Sequence, residues 1–330
     1  MASESSQATV LVTRRVPRAV LDAITRHATL RIWEGDNPIP RETLLEWLPG
    51  CAGLYCMLTD RIDPEVLDAG SSLRVISQMA VGVDNIDLSA CTARGIPVGN
   101  TPGVLTETTA DLALALILAT LRRVIESAAF IKAGQWVTWR PMELVGRDLH
   151  HSTVGIIGFG RIGKAVAKRL RGFDCHILYT QRSPDPDAAR LGAAYVDLPT
   201  LLASSDVVTL HCPLTVETRG LIGARELAQM RQEAILVNTS RGPVIDQAAL
   251  VEALAAGRIA GAGLDVTDPE PIPSDSPLLS MPQVVVLPHI GSATIATRTK
   301  MAELAADNLI AGLAGKRLPH PANPAVYPEA

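Results

Sequence analysis

The feature that most constrains the fold is a glycine-rich segment in the middle of the chain, GFGRIG at positions 158–163. It follows the apolar run TVGII and precedes the amphipathic run KAVAKRLRGF. A strand, a tight glycine turn and a helix in this order bring the amides of a helix N-terminus close to a phosphate group. The segment therefore predicts a dinucleotide-binding site, although a glycine triplet alone is often only a structural turn. The predicted cofactor contacts of the turn are Gly158, Gly160, Arg161, Ile162 and Gly163.

The residues about 20 positions further along indicate which dinucleotide is bound. An acidic residue at the end of the second strand accepts hydrogen bonds from the adenine ribose when the cofactor is NAD(H). Here the strand ends in TQRS at 180–183, which has no carboxylate. Arg182 and Ser183 can donate hydrogen bonds to a 2'-phosphate, so we expect NADP(H) to be preferred. NAD(H) stays the alternative, because Asp185 or Asp187 could serve the ribose while Arg182 is only a solvated loop residue.

Short apolar runs alternate with amphipathic runs on both sides of a long apolar segment. The first series spans positions 10–100, and the second begins at Ser152. Such alternation predicts parallel α/β sheets, and the intervening segment 101–124 fits a long buried helix that could serve as a hinge. A length of 330 residues suits two domains. We therefore predict an α/β fold of two doubly wound parallel-sheet domains with a ligand cleft between them.

Three residues in the second half of the chain suit the reduction of a ketone. That reaction needs a cation for a substrate carboxylate, an acid for the developing alkoxide and a group that tunes the acid. Arg241 follows the apolar run AILVNTS, and His289 follows VVVLP, so both lie where predicted strands end. Glu270 lies in a proline-rich loop, and a carboxylate beside an imidazole stabilises the protonated ring. Individually, His289 could be a structural histidine and Glu270 a solvated loop acid.

Composition and charge argue against several other classes of protein. The formal net charge is −4 and the arginines are scattered, which leaves no basic surface for nucleic acid. The most apolar run, at 112–121, is about half the ~20 residues that a membrane-spanning helix needs. The five cysteines show no paired metal-type spacing and fit free thiols in a reducing compartment. Residues 1–9 are polar and lack the apolar core of a secretory signal, so we expect a cytoplasmic protein. The cysteine spacing leads us to expect no bound metal.

Six segments, read in order, resemble the conserved blocks of the D-isomer-specific 2-hydroxyacid dehydrogenases. They are VGVDNID, TPGVLTETTADLAL, VGIIGFGRIG, NTSRGPVID, GLDVTDPEP and LPHIGSAT. Within that family, GQWVTWRP and the segments around the glycine turn and His289 are most similar to glyoxylate/hydroxypyruvate reductases. The resemblance implies a flavodoxin-like substrate-binding domain of residues 1–100 plus 293–330 and a Rossmann cofactor domain of residues 101–292. It also implies NAD(P)H-dependent reduction of glyoxylate or hydroxypyruvate to glycolate or D-glycerate.

The resemblance assigns roles to individual residues. His289 would be the acid/base, Glu270 its charge partner and Arg241 the clamp for the substrate. The backbone amides of Val81 and Gly82 would bind the substrate carboxylate, as a glycine loop can. The cofactor contacts implied outside the glycine turn and the 182–183 pair are Thr106, Pro213, Thr239, Arg241, Asp265, His289 and Gly291. The further substrate contacts implied are Leu58, Ser292 and Trp139.

Trp139 also bears on the oligomeric state. In reductases of this kind a tryptophan from the partner subunit reaches the active site, and Trp139 is the matching position. The alternative is that Trp136 and Trp139 only pack a dimer interface. Both readings predict a homodimer. The shape formed by Leu58, Val81, Trp139 and Met142 would then set the choice of substrate.

Two other functional interpretations fit the same residues. Lactate-type, phosphoglycerate and phosphite dehydrogenases use the same arginine, glutamate and histidine on other substrates. A non-enzymatic, dinucleotide-sensing scaffold of the corepressor type keeps the fold and the residues without the turnover. Oxidation of a reduced nicotinamide by a 2-oxo acid separates the enzyme from the scaffold.

Overall fold

The computed structural model describes residues 7–328. Residues 1–6, most of the predicted polar tail, and residues 329–330 lie outside the described part of the chain. The chain divides into two compact units, one drawn from Met1–Leu105 and Thr294–Ala330 and the other formed by Thr106–Ala293. We call them the terminal unit and the central unit. The predicted domain boundaries lay after residues 100 and 292.

The terminal unit contains a five-stranded sheet in the order β2-β1-β3-β4-β5. Every neighbouring pair of strands is parallel. This is the flavodoxin-like doubly wound order, so the predicted fold of this unit is confirmed. The strands are β1 (Thr9–Val12), β2 (Thr29–Ile32), β3 (Cys51–Cys56), β4 (Val75–Gln78) and β5 (Val98–Gly99).

The central unit contains a seven-stranded parallel sheet in the order β8-β7-β6-β9-β10-β11-β12. Its first strand in sequence, β6, lies inside the sheet, and the chain changes direction between β6 and β9. Ligands bind at such a switch point, outside the carboxyl ends of the strands. The strands are β6 (Thr153–Ile157), β7 (His176–Thr180), β8 (Ala193–Tyr195), β9 (Val207–Leu210), β10 (Ile235–Asn238), β11 (Gly261–Leu264) and β12 (Val284–Val286).

Helices cover both faces of each sheet. In the terminal unit α1 and α11 pack on one face and α2, α3 and α4 on the other. In the central unit α5 and α7 pack on one face and α8, α9 and α10 on the other. All residues of β9, β10 and β11 are buried, as continuous apolar runs of parallel sheets should be. The helices are α1 (Arg18–Thr25), α2 (Arg41–Trp47), α3 (Pro64–Ala69), α4 (Leu88–Ala93), α5 (Thr106–Leu121), α6 (Val124–Lys132), α7 (Arg161–Leu170), α8 (Leu198–Ser204), α9 (Ala224–Gln229), α10 (Gln247–Ala255) and α11 (Ile295–Leu313).

The helix predicted at 101–124 is shorter than expected and is followed by a second helix. Its buried residues recur at helical spacing through α5, from Thr109 to Leu121. The helix stops where Arg123 adopts a left-handed backbone with φ of 51°. The next helix, α6, has no buried residue. Among the described residues, no helix combines the length and the apolar character needed to cross a membrane.

Candidate active site

The glycine-rich turn joins β6 to α7 and leaves no room for a side chain at two of its three glycines. Gly158 has a φ of +91°, which residues with a Cβ rarely adopt. A Cβ on Gly163 would lie 2.3 Å from the carbonyl oxygen of Gly158. The turn is also tied to the neighbouring strand β7, since Gly158 N donates to Thr180 O at 3.0 Å. Two of the three glycines are thus required by the backbone itself.

The third glycine stands at the open N-terminus of α7. Gly160 is the N-cap, its backbone is extended, and no side chain caps the helix. A Cβ built on Gly160 would have no heavy atom within 4 Å. The first amides of this ten-residue helix therefore have no capping side chain, and the helix dipole favours an anion beside them. This geometry fits the pyrophosphate of a dinucleotide, which the amides of the turn and of the first turn of α7 would hold.

The end of β7 is free of unpaired acids. Gln181 Oε1 accepts a hydrogen bond from the backbone N–H of Phe159 at 3.3 Å, which fixes the turn after the strand. Lys164 Nζ in α7 lies 2.8 Å from Asp185 and 3.0 Å from Asp187. The hydrogen bond from Lys164 lowers the pKa of Asp185. Both aspartates that could have served an adenine ribose are therefore engaged by Lys164.

Arg241 lies in a tight turn after β10. The Asn238 side chain holds this turn, since its Nδ2 donates to Arg241 O at 2.9 Å and its Oδ1 accepts from Ser240 N at 2.9 Å. A Cβ on the next residue, Gly242, would lie 1.8 Å from the carbonyl oxygen of Thr267. Glycine is therefore required at 242 for the arginine turn to pack against the loop that follows β11.

His289, which follows β12, and Glu270, which follows β11, form a hydrogen-bonded pair. The distance from His289 Nδ1 to Glu270 Oε1 is 2.6 Å. The two side chains are 24% and 35% exposed, so a small molecule can reach them. With Nδ1 bound to the carboxylate, Nε2 is the ring nitrogen that can exchange a proton with a ligand. His289 also has a left-handed backbone with φ of 55°, an unusual conformation that often occurs at functional sites.

Asp265 holds the backbone that follows His289. Its carboxylate accepts the N–H of Ile290 at 2.7 Å and the N–H of Gly291 at 2.8 Å, and its own carbonyl accepts the N–H of His289. Thr109 in α5 donates to the carbonyl of Gly291 at 3.1 Å. Burial raises the pKa of Asp265, while these two N–H groups and the charge of His289 lower it. The buried carboxylate therefore orients the histidine loop.

These loops come together because β10, β11 and β12 are neighbours. The backbone N–H of Asp265 donates to the carbonyl of Asn238 at 2.9 Å, which links the ends of β10 and β11. Parallel strands present their carboxyl ends at one edge, and that edge also carries the glycine turn. The central unit thus combines a dinucleotide cradle with a histidine–carboxylate pair and an arginine turn. Such a set can bind an acid and exchange a proton with it.

Comparison with known proteins assigns this site to a family. A family model described as D-isomer specific 2-hydroxyacid dehydrogenase, NAD binding domain, matches residues 114–291. The chain belongs to the D-isomer-specific 2-hydroxyacid dehydrogenases. It is 49% identical over 316 residues to a glyoxylate reductase from Korarchaeum cryptofilum, covering 95% of each chain. The resemblance seen in the sequence is therefore confirmed.

Solved structures agree with this assignment. The TT0316 protein from Thermus thermophilus superimposes with a TM-score of 0.90 at 48% identity, covering 95% of this chain and 99% of that one. An NADPH-dependent glyoxylate/hydroxypyruvate reductase from Sinorhizobium meliloti, in complex with NADP and malonate, gives a TM-score of 0.85 at 33% identity. Coverage there is 98% of this chain and 99% of the other. The family's α/β fold accordingly spans nearly the whole chain.

Other cofactor contacts expected of a 2-hydroxyacid dehydrogenase lie at the same edge of the central sheet. Thr239 directly follows β10, and its Oγ1 is 3.3 Å from His211 Nδ1. Burial lowers the pKa of His211 to about 3, so this second histidine at the edge stays neutral. The carbonyl of Pro213 accepts the Thr218 hydroxyl at 2.6 Å. Thr106 is the first residue of α5.

The remaining expected substrate contacts are divided between the two units. Val81 and Gly82 lie in a half-buried loop after β4, and Leu58, which is 37% exposed, follows β3. All three belong to the terminal unit, where the carboxyl ends of β3 and β4 meet at one edge. Trp139 is 75% exposed and belongs to the central unit, beyond α6.

Sequence reasoning missed several residues that shape the site. The sequence places Lys164 in the helix after the glycine turn and Gln181 among four turn residues, but it does not reveal the hydrogen bonds that either side chain makes. Neither pairing is visible locally, because the partners of Lys164 lie more than 20 residues away. Gln78, at the end of the buried strand β4, was also missed. A glutamine in an otherwise apolar strand is itself a signal, because a buried amide needs hydrogen-bond partners.

Proposed function

We propose that this chain reduces glyoxylate or hydroxypyruvate to glycolate or D-glycerate with a reduced nicotinamide cofactor. The observation that carries the proposal is the 2.6 Å contact between His289 Nδ1 and Glu270 Oε1, in the unit that holds the dinucleotide turn. The names of the relatives support the choice of substrate, since they include glyoxylate and glyoxylate/hydroxypyruvate reductases. A proton donor beside a dinucleotide cradle is what reduction of a 2-oxo acid requires.

In this proposal His289 is the acid/base. Its Nε2 donates a proton to the 2-oxygen of the substrate as that oxygen gains negative charge. Glu270 keeps the imidazole in one orientation and stabilises its protonated form by charge. Asp265 supports the same geometry, because two bonds from Ile290 and Gly291 fix the backbone next to the ring. When bound, the nicotinamide supplies the hydride.

Arg241 is assigned to the substrate carboxylate. A planar guanidinium can bind a carboxylate through two parallel hydrogen bonds, which orients the acid as well as binding it. We assign the backbone N–H groups of Val81 and Gly82 to the same carboxylate. The terminal unit is accordingly proposed as the substrate-binding domain and the central unit as the cofactor domain. Leu58, Trp139, Ser292 and Met142 are proposed to shape the pocket for the rest of the substrate.

We propose NADP(H) as the preferred cofactor, with NAD(H) as the weaker alternative. The turn after β7, residues 180–183, offers Arg182 and Ser183, both exposed, and contains no carboxylate. The nearby acids Asp185 and Asp187 are paired with Lys164. The NADP complex of the Sinorhizobium meliloti reductase supports this choice. The contacts proposed along the rest of the cofactor are Thr106, Pro213, Thr239 and Gly291.

We propose a homodimer that associates through α6 and the segment after it. Of thirteen exposed large apolar side chains among the described residues, eight lie between positions 124 and 145. An apolar helix with no buried residue is unusual in a monomer, and large exposed patches of this kind mark interfaces. A second copy suits the patch because the same apolar side chains on two copies can be buried against each other, as a self-complementary interface needs. The eight residues are Val124, Ile125, Ile131, Trp136, Val137, Trp139, Met142 and Val145.

We further propose that the protein works in the cytoplasm. All five cysteines are free thiols, as expected where disulfides do not form. Four of them are buried, and only Cys175 is partly exposed.

The function is tested by a substrate screen on the purified protein. NADPH and NADH oxidation is followed by absorbance with glyoxylate, hydroxypyruvate and pyruvate, and kcat/KM is compared across the pairs. The proposal expects turnover of glyoxylate or hydroxypyruvate, with NADPH ahead of NADH. The matched control is His289→Ala, which removes the proposed proton donor and should lose turnover at saturating NADPH. Absence of oxidation with every 2-oxo acid would overturn the proposal and favour the dinucleotide-sensing scaffold.

A further inference from the structure

The loop at positions 80–83, after β4, has its backbone carbonyls bound from within the terminal unit. Three consecutive carbonyls each accept a hydrogen bond from this unit. The three bonds run from Thr101 N to Ala80 O (2.9 Å), from Asn100 Nδ2 to Val81 O (2.8 Å) and from Gln78 Nε2 to Gly82 O. Two of the three donors are side-chain amides that the reaction described above does not use.

These bonds decide which way the amide hydrogens of the loop point. In a trans peptide group the N–H is antiparallel to the C=O. The N–H groups of Val81, Gly82 and Val83 therefore point away from Thr101, Asn100 and Gln78. Within residues 7–328 none of these three N–H groups donates to a protein acceptor, and all three residues are half-buried. Successive N–H groups with no internal acceptor form a concavity suited to an anion.

Gln78 cannot turn its amide away from the loop because Asn85 holds it. The two side chains exchange a pair of hydrogen bonds, at 2.9 Å and 2.8 Å, in which each amide both donates and accepts. Asn85 in turn donates to the carbonyls of Met57 and Asp60, at 3.2 Å and 2.7 Å. Gln78 is fully buried, where an amide without partners would be costly. A rotation of Gln78 would break this whole set of bonds.

Asn100 is supported from the opposite side by the C-terminal helix. Its backbone carbonyl accepts Asn308 Nδ2 from α11 at 2.9 Å. Asn308 is itself fully buried, and its Oδ1 accepts the N–H of His320 at 2.9 Å. A chain of amides therefore runs from α11 through Asn100 to the carbonyl of Val81.

We propose that Gln78, Asn85 and Asn100 are positioning residues for the substrate carboxylate. They bind the loop carbonyls and thereby fix the N–H groups of Val81 and Gly82 in the orientation that the anion needs. This inference rests on the proposed function, which assigns those N–H groups to the carboxylate. The three amides do not touch the substrate. Their contribution is preorganisation, which lowers the cost of ordering the loop when the substrate binds.

The test compares two substrates that differ only in the carboxylate. Glyoxylate and its neutral methyl ester carry the same reacting aldehyde, and both are assayed with saturating NADPH. In Asn100→Ala, kcat/KM for glyoxylate should fall about tenfold, mainly through KM, which is the size of losing one hydrogen bond to a charged group. The value for the ester and the KM for NADPH should stay unchanged. Gln78→Met, which keeps the length of the side chain and removes its donor, should give the same selective loss.

Asn323→Ala is the matched control. Asn323 is a buried amide of the same unit that accepts the N–H of Val98 and donates to the carbonyl of Ile96, with no bond to the 80–83 loop. It should lower the melting temperature without changing the ratio of kcat/KM between glyoxylate and the ester. This control separates general loosening of the terminal unit from loss of the anion site.

Each outcome has a distinct meaning. A selective loss with glyoxylate in Asn100→Ala supports the positioning role even where Gln78→Met fails to fold. An unchanged ratio between the two substrates, or an equal loss with both, overturns it. Absence of any 2-oxo acid turnover in the wild-type protein instead overturns the proposed function itself, before any variant is compared.

Discussion

The half-buried histidine directly after β9 gives a prediction whose size follows from its surroundings. His211 Nε2 is 2.9 Å from Thr209 Oγ1, and its Nδ1 is 3.3 Å from Thr239 Oγ1. Both partners are neutral, and burial lowers the pKa of His211 from 6.5 to about 3. The folded protein therefore keeps this ring uncharged under conditions where the unfolded chain takes up a proton. Stability should fall as the pH drops below 6.5.

The magnitude can be worked out at about pH 5. At that pH the His211 ring is almost fully protonated in the unfolded chain and neutral in the folded protein. The pH lies below the pKa of the unfolded state and well above the pKa of the folded state. Each pH unit over which the two states differ by one proton is worth about 1.36 kcal/mol. The 1.5 units between the unfolded pKa of 6.5 and pH 5 give a loss of about 2 kcal/mol. The neutral variant His211→Gln should lack this part of the pH dependence.

The assay is urea unfolding at about pH 7.5 and about pH 5, for wild type and His211→Gln. Hydrogen exchange of peptides covering β9 and β10 reports the stability of the central unit specifically. The other histidines contribute equally to both proteins. The change in unfolding free energy between the two pH values, compared between wild type and variant, therefore isolates His211. On acidification, the free energy of unfolding should fall by about 2 kcal/mol more in wild type than in the variant. Equal losses in the two proteins would refute the claim that His211 stays neutral in the folded protein.

Three further substitutions test separate parts of the site. Gly163→Ala places a Cβ 2.3 Å from Gly158 O, so it should cost about 1–3 kcal/mol of stability, measured by denaturation, and weaken NADPH binding, measured by fluorescence titration. Arg182→Ala should reduce kcat/KM for NADPH about tenfold and leave NADH unaffected, and an equal effect on both cofactors would contradict the 2'-phosphate assignment. Ile131→Asp, in the exposed apolar patch, should shift the mass measured by light scattering from dimer to monomer. The equally charged Val216→Asp, outside the patch, should leave that mass unchanged.

Much of the fold could be predicted from the sequence because its signals are local. The glycine turn sits between a recognisable strand and helix, and the apolar runs of the buried strands alternate regularly with amphipathic helices. The order of the strands depends on contacts far apart in sequence, and it was anticipated through the family resemblance. The predicted segment 101–124 runs one residue past the break at Arg123, because no glycine or proline marks the end of α5. Periodicity alone does not distinguish a helix buried within its own unit from one with an exposed apolar face.

The candidate site was predictable where an ionisable residue directly follows an apolar strand, because such a residue at a strand end is often functional. Arg241 and His289 stood out in this way, and the structure places Glu270 in contact with His289. The supporting residues were not predictable by the same reasoning. Asp265 binds backbone amides 25 and 26 residues away, and Lys164 reaches the acids of a later loop. Such partners are set by tertiary packing, and no local pattern marks them.

The central claim is that His289 donates the proton in reduction of a 2-oxo acid, and one comparison tests it most directly. Single-turnover oxidation of bound NADPH by saturating glyoxylate is measured for wild type and His289→Ala, with NADPH affinity measured in parallel. At saturating NADPH the rate constant of the variant should be lower by about 10²–10⁴-fold, the usual contribution of a general acid, and the parallel affinity measurement separates this loss from any change in NADPH binding. A near-normal rate constant in His289→Ala would contradict the account.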